Sequence, residues 1–192
     1  MLLRAARELL EQLPPAQVTR AAVARHAGVD PNLIRYYFKD RDSLLLALVD
    51  EIVNEESKLT AGSSTNANPA ERLRAQVRRL MNFHQRYPYF HRLLTEEIAT
   101  LKSQRARQLQ HRLNRLMLDL YGGIFRDGAK EKSLRALDPV FVHIAIAGMC
   151  EFFMSSKRLL EDAFGKGAEP ADYAKRYADT IAQLLLDGAR QR

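Results

Sequence analysis

The sequence predicts an all-α chain, with an N-terminal three-helix helix-turn-helix domain followed by a helical bundle, about nine helices in all. Three observations point there. Apolar residues recur at three- and four-residue spacing through most of the 192 residues. No run alternates with the period of two that a half-buried strand needs. Residues 27–31 read Ala-Gly-Val-Asp-Pro, in which a helix is stopped and another started within five positions.

The first helix is expected over residues 2–13, where Leu2, Ala6, Leu9, Leu10 and Leu13 form one apolar stripe, and Pro14 and Pro15 end it by removing backbone donors. A second spans residues 20–26 and buries Val23 and Ala24. Gly28 supplies the positive φ that closes it, Asp30 is placed to cap the next helix, and Pro31 takes the favoured first helical position. The third helix, residues 31–38, turns Ile34 and Phe38 inward and leaves Asn32, Arg35, Tyr36 and Tyr37 outward. These are hydrogen-bonding and aromatic side chains suited to phosphates and base edges.

A fourth helix starts near Arg41 and uses Leu44, Leu45, Leu48, Val49 and Ile52. The segment AGSSTNANP at 61–69 reads as a mobile loop. Helix five then runs from Pro69 to just before Pro88, and helix six from Tyr89 to about Thr100. Leu109, Leu113, Leu116, Leu120 and Ile124 mark a long seventh helix ending at Gly128. Asp138 and Pro139 open a helix, VFVHIAIAGMCEFF, that is apolar on nearly every side and so needs two neighbours. Tyr173, Tyr177, Ile181, Leu184 and Leu185 give the last helix its stripe. The division expected is 1–47 for the helix-turn-helix domain and 48–192 for the bundle.

Composition bounds the function. A hydrophobic content of 46% in 192 residues suffices for a real core. The longest apolar run, 140–154, is too short to span a bilayer and contains His143 and Glu151, so no membrane partner is expected. Without a secretory signal, and with Cys150 the single cysteine and placed as a small core residue, a cytoplasmic location is expected. The five histidines, at 26, 84, 91, 111 and 143, show no HExxH spacing, and neither GxSxG nor a glycine-rich phosphate loop is present. No catalytic residue, metal ligand or cofactor is therefore expected, and the chain does not read as an enzyme.

The net charge of +7 is unevenly placed. Residues 1–60 hold eight Lys/Arg against nine Asp/Glu, residues 61–135 fifteen against six, and residues 136–192 seven against eight. The excess lies outside the helix-turn-helix, whose window 18–41 still has five basic residues against two acids. Any DNA reading thus rests on the motif and this window rather than on overall charge.

Thr19, Val23-Ala24, Ala27-Gly28-Val29, Asp30, Ile34, Tyr36-Tyr37-Phe38, Lys39, Arg41 and Leu44 together resemble the DNA-binding signature of TetR/AcrR-type transcriptional regulators. The resemblance covers about the first fifty residues; Asn32-Leu33 and Arg35 depart from its usual recognition helix, so base preference does not carry over. It implies a cytoplasmic homodimer, paired through the last two helices, that binds a palindromic double-stranded operator, most often as a repressor released by a small organic effector. Family match and chemistry together make Thr19, Arg20, Tyr36, Tyr37, Lys39 and Arg41 the expected phosphate contacts. Asn32 and Arg35 are the expected base readers, with Pro31 and Leu33 against thymine methyls. The bundle becomes an effector-binding and dimerisation domain, with a pocket expected from Phe83, His84, Tyr87, Phe90, Leu94, Leu113, Met117, Tyr121, Phe141, Ile144 and Met149. The alternative is a helical ligand-binding or protein-interaction module whose helix-turn-helix no longer binds DNA.

Overall fold

The helices that begin at Arg20, Pro31, Pro69 and Pro139 each use a short polar side chain to satisfy one of the amide groups left over in a first turn. The computed structural model describes residues 1–60, 67–156, 159, 163 and 170–190. Its helices are α1 (Leu2–Gln12), α2 (Arg20–His26), α3 (Pro31–Tyr37), α4 (Arg41–Thr60), α5 (Pro69–Arg86), α6 (Phe90–Arg92), α7 (Gln104–Lys130), α8 (Pro139–Ser155) and α9 (Pro170–Ala189). Thr19 Oγ1 accepts from the Ala22 amide at 3.1 Å, Asn68 Oδ1 from Glu71 at 2.9 Å, and Asp138 Oδ1 from Val140 at 2.8 Å. Pro31, Pro69 and Pro139 occupy first positions where no amide is missed. Each cap stabilises its helix by about 1 kcal/mol. Among the described residues no strand forms beyond one isolated bridge, Leu134 to Arg190, and no helix is long and apolar enough to cross a membrane.

The described residues pack as two units, which do not divide at residue 47. One groups 1–63 with 89–112, the other 64–88 with 113–192. In the first, α4 stays with the N-terminal helices because Arg7 of α1 donates to Glu51 at 2.7 Å and to Glu55 at 2.8 Å on α4. Leu2, Ala6, Leu9 and Leu10 of α1, Val23 and Ala24 of α2, Ile34 of α3 and Leu44, Leu45, Leu48, Val49 and Ile52 of α4 are all buried there. In the second unit α5, α8 and α9 pack with the C-terminal part of α7 around Leu73, Val77, Met81, Tyr121, Ile124, Phe125, Ile146, Cys150 and Ile181. Burial, then the neighbouring Glu151, pushes the Cys150 thiol up to about 12, so it is an inert core group.

Three expectations are corrected. The single helix over 89–100 is broken into the α6 turn, a π-helical turn at Leu93–Glu97 and a 3-10 turn at Ile98–Thr100. An unbroken α-helix would carry Ile98 roughly 140° round from Leu93. The wider turn lets both be buried. The α7 stripe is also incomplete, since Leu116 stands exposed while Leu109 and Ile124 are buried. Thirdly, α7 does not stop at Gly128 but runs on to Lys130. Of the 61–69 loop, residues 61–66 lie outside the described residues.

Gly128 is required for a steric reason. A Cβ there would stand 2.7 Å from the Cβ of Leu134, which folds back so that its amide donates to the Gly128 carbonyl at 3.1 Å. The next amide, Arg135, donates to Ala189 at 2.8 Å and ties the end of α7 to the end of α9. Gly128→Ala is expected to cost about 1 to 3 kcal/mol through overpacking against Leu134, seen as a lower urea midpoint with an unchanged slope.

Candidate nucleic-acid interface

The α2–turn–α3 segment is built backbone first. Gly28 sits at φ +65 with nothing within 4 Å of where a Cβ would lie, so glycine is needed for conformation and not for space. Asp30 Oδ1 accepts from the Asn32 amide at 2.6 Å and starts α3. Ile34, 1% exposed, is the one fully buried side chain of that helix.

Arg20 closes the other end of α3. Its Nη1 donates to the carbonyls of Phe38, at 3.0 Å, and Lys39, two acceptors that a helix C-terminus leaves open. Asp40 then begins α4: its Oδ1 accepts from the Ser43 amide at 2.7 Å while its own amide donates to Ser43 Oγ at 3.2 Å. These bonds hold the Asp40 carboxyl below its ordinary range.

The rest of α3 faces outward. Pro31, Asn32, Leu33, Arg35, Tyr36, Tyr37 and Lys39 are all exposed, Tyr36 at 83% and Tyr37 at 62%. The two tyrosine rings meet edge to face at 5.3 Å. Arg35 has no ion pair among the described residues. Thr19 is exposed but its hydroxyl oxygen already caps α2, leaving its hydrogen free to donate.

Two expected phosphate contacts are otherwise employed. Arg20 is the α3 clasp just described, and Arg41 turns inward. The Arg41 guanidinium donates from Nε to the Val18 carbonyl at 3.0 Å, from Nη2 to the Pro15 carbonyl at 2.6 Å, and from Nη1 to Glu97 at 2.7 Å. Both carbonyls belong to the turn before α2; that of Pro15 also accepts from the Val18 amide at 3.0 Å, while that of Val18 lies past the end of the Pro15–Gln17 turn. The sequence shows Arg41 only as one more cation; the three acceptors converge on it through folding.

Residues 2–48 match the family described as bacterial regulatory proteins, tetR family, and residues 69–185 match the one described as tetracyclin repressor-like, C-terminal domain. The chain belongs to the TetR family. It is a DNA-binding transcriptional regulator and not an enzyme. The HTH-type transcriptional regulator BetI of Stenotrophomonas maltophilia is 32% identical over 78 residues, a stretch covering 40% of this chain and 40% of that relative. Solved structures agree over the whole chain in fold. A TetR-family protein from Rhodococcus RHA1 superposes with a TM-score of 0.77 at 16% identity, covering 100% of this chain and 96% of that one. FadR from Bacillus subtilis, in complex with stearoyl-CoA, gives 0.70 at 17% identity with 98% of each chain covered.

The expected pocket residues of this regulator separate. In the unit formed by 64–88 and 113–192, His84, Tyr87 and Tyr121 are buried and Phe83, Leu113, Met117 and Met149 half-buried. Phe90 and Leu94, buried and half-buried, belong to the other unit. Phe141 and Ile144 face outward, 69% and 58% exposed, because the inward row of α8 is Val142, Ile146, Cys150 and Phe153. His143, which the sequence shows only as an interruption of an apolar run, brings its ring to 5.6 Å from that of Tyr121. Among the described residues no three His, Cys, Asp or Glu side chains stand where they would hold a metal ion.

Removing Arg41 leaves Glu97 without its cation, the Val18 carbonyl without the guanidinium N–H that reaches it, and the Pro15 carbonyl with the Val18 amide alone. Arg41→Ala is expected to lose about 2 to 3 kcal/mol of stability, whereas Arg35→Ala stays within about 0.5 kcal/mol, both read from chemical denaturation.

Proposed function

We propose that two copies of this regulator pair through α8 and α9, insert their α3 helices into a palindromic double-stranded operator as a repressor, and leave it when a small organic effector binds the bundle. In this reading residues 1–47 are the reading head, residues 48–192 serve effector binding and dimerisation, and the protein acts in the cytoplasm on operator DNA. The outward row Asn32, Arg35, Tyr36 and Tyr37, with Lys39 just past the end of α3, carries the reading, since it sets exposed donors along one side of a short helix. Asn32 suits adenine and Arg35 guanine, each bidentate pair discriminating by about 1 to 3 kcal/mol. Pro31 and Leu33 offer apolar contact for thymine methyls, and Thr19, Tyr36, Tyr37 and Lys39 offer donors to phosphates.

One two-turn helix reads few base pairs, so specificity needs a second head about 34 to 36 Å away. The support for a dimer is the uncovered side of α8. Phe141, Ile144, Ala145, Gly148 and Phe152 are exposed at helical spacing, and Leu184 and Gly188 are exposed four apart on α9. An organic effector is supported by the same fold in Bacillus subtilis FadR, which is seen with stearoyl-CoA. The effector acts by preferring the arrangement of heads that does not fit the operator.

An operator obtained by binding-site selection and measured by fluorescence anisotropy tests this. Arg35→Ala is expected to weaken binding about tenfold and relax preference at one base pair per half-site, while Tyr36→Ala weakens binding more evenly across sequences. Phe141→Glu with Ile144→Glu is expected to give folded monomers in sedimentation that no longer hold the operator. Wild-type protein that ignores duplex DNA at low salt would leave the alternative of a helical interaction module.

A further inference from the structure

The second packing unit holds a group of buried and half-buried polar side chains that reading an operator does not use. They come from three helices. Gln76 and His84 lie two turns apart on α5, Tyr121 is on α7, and the half-buried His143 and Glu151 are on α8, against a core that includes Val77, Met81, Ile124, Val142 and Ile146. The Tyr121 side chain is 1% exposed, and its hydroxyl is buried without a hydrogen-bond partner. His143 Nδ1 is in the same position, and the two rings touch at 5.6 Å and 52°. Gln76 lies near the tyrosine hydroxyl but makes no bond to it of sound geometry. His84 Nδ1 donates to the Leu80 carbonyl at 2.8 Å, so only Nε2 remains to face Glu151, and it does so at 3.8 Å, beyond hydrogen-bond length.

Two orphaned polar atoms on touching rings are expensive to bury in a core where phenylalanine and leucine would fit as well. Their protonation states say what would satisfy them. Burial pushes the Tyr121 hydroxyl up to about 12, so it keeps its proton and donates. Burial, and then the nearby His84, push His143 down, so its ring is neutral near pH 7 and Nδ1 accepts or donates according to tautomer. A carboxylate head would give up its hydration for two neutral partners with Glu151 nearby, an ammonium would compete with His84 for Glu151 and leave the Tyr121 hydroxyl hydrogen unpaired, and a hydrocarbon would leave both atoms unpaired. A hydroxyl or carbonyl oxygen accepts from Tyr121 and pairs with His143 at little desolvation cost.

We propose that Tyr121 and His143 are the recognition pair for an uncharged oxygen function, a carbonyl or a hydroxyl, on the organic molecule that this unit binds. The assignment rests on the effector reading above and adds the chemical class of its polar end. Tyr121 was expected among the pocket-lining residues, and His143 was not expected to take part.

Cyclohexanone, cyclohexanol, cyclohexanecarboxylate, cyclohexylamine and methylcyclohexane share a six-membered ring and differ at the head. With carbon-13 in the histidine and tyrosine rings of the full chain, the ketone and the alcohol are expected to move the Tyr121 and His143 signals while the other three leave them in place. Tyr121→Phe and His143→Leu should each raise the melting temperature of the free protein by about 2 to 4 °C, because an unpaired buried group is removed. Each should also weaken ketone and alcohol binding about tenfold. Melting temperatures that fall, ketone and alcohol that leave both signals unmoved, or an equal response to the carboxylate or the amine would each overturn the assignment. These readouts need no DNA. Binding at the pair with unchanged operator affinity would instead count against effector release and leave the recognition pair standing.

Discussion

A helix of seven residues does not hold its shape alone in water, because nucleation costs more than two turns return. The reading helix α3 is that short, so it stands only where both ends and its inner face are tied down. Gly28 and Asp30 fix the start, Ile34 anchors the inner side, and Arg20 takes the carbonyls at the finish. With those constraints met by the chain itself, the outer side chains owe nothing to folding. Asn32, Arg35 and Lys39 are thereby left to partners outside the chain.

The arginines of the head show how geometry sorts residues of one type. Arg20 and Arg41 lie beside backbone carbonyls at the turns of the head, and a guanidinium with five N–H groups satisfies several such acceptors at once. Arg35 lies on the exposed outer side of α3 and has no ion pair among the described residues. Arg41 also reaches Glu97, which places the π-helical turn and the loop before α2 under one side chain. Removing a phosphate contact and removing a structural clasp are therefore different experiments, although both read as arginine substitutions in the same motif.

In the second unit, α8 answers to two demands. Its inward row, Val142, Ile146, Cys150 and Phe153, fills the core, while Phe141, Ile144 and Phe152 on the other side remain uncovered. A helix apolar all round signals neighbours on more than one side; among the described residues α5 and α9 pack on its inward row, and the other row stays exposed. Between those rows His143 and Glu151 meet His84 and Tyr121, which gives an apolar unit a small polar interior.

Much of this was legible in the residues. Caps, helix-stopping prolines and the positive-φ glycine act over four or five positions, so they are visible in sequence, and the boundaries of α2, α3, α5 and α8 follow from them to within a residue or two. The family signature in the first fifty residues was legible for the same reason, since a helix-turn-helix is a local device. The break in the 89–100 helix was not, because the wider turn serves to bury Leu93 and Ile98 together and local propensity carries no trace of it. Nor could sequence say which arginines would be consumed by Pro15, Val18, Phe38 and Lys39, which lie 18 to 26 positions away from them. The helices and the character of the outward α3 side chains were thus determined by sequence alone, through interactions within one or two turns. Which polar groups are spent on the fold, and which are left facing one another in its interior, was decided by tertiary packing, because only packing brings distant acceptors to a side chain or denies it any.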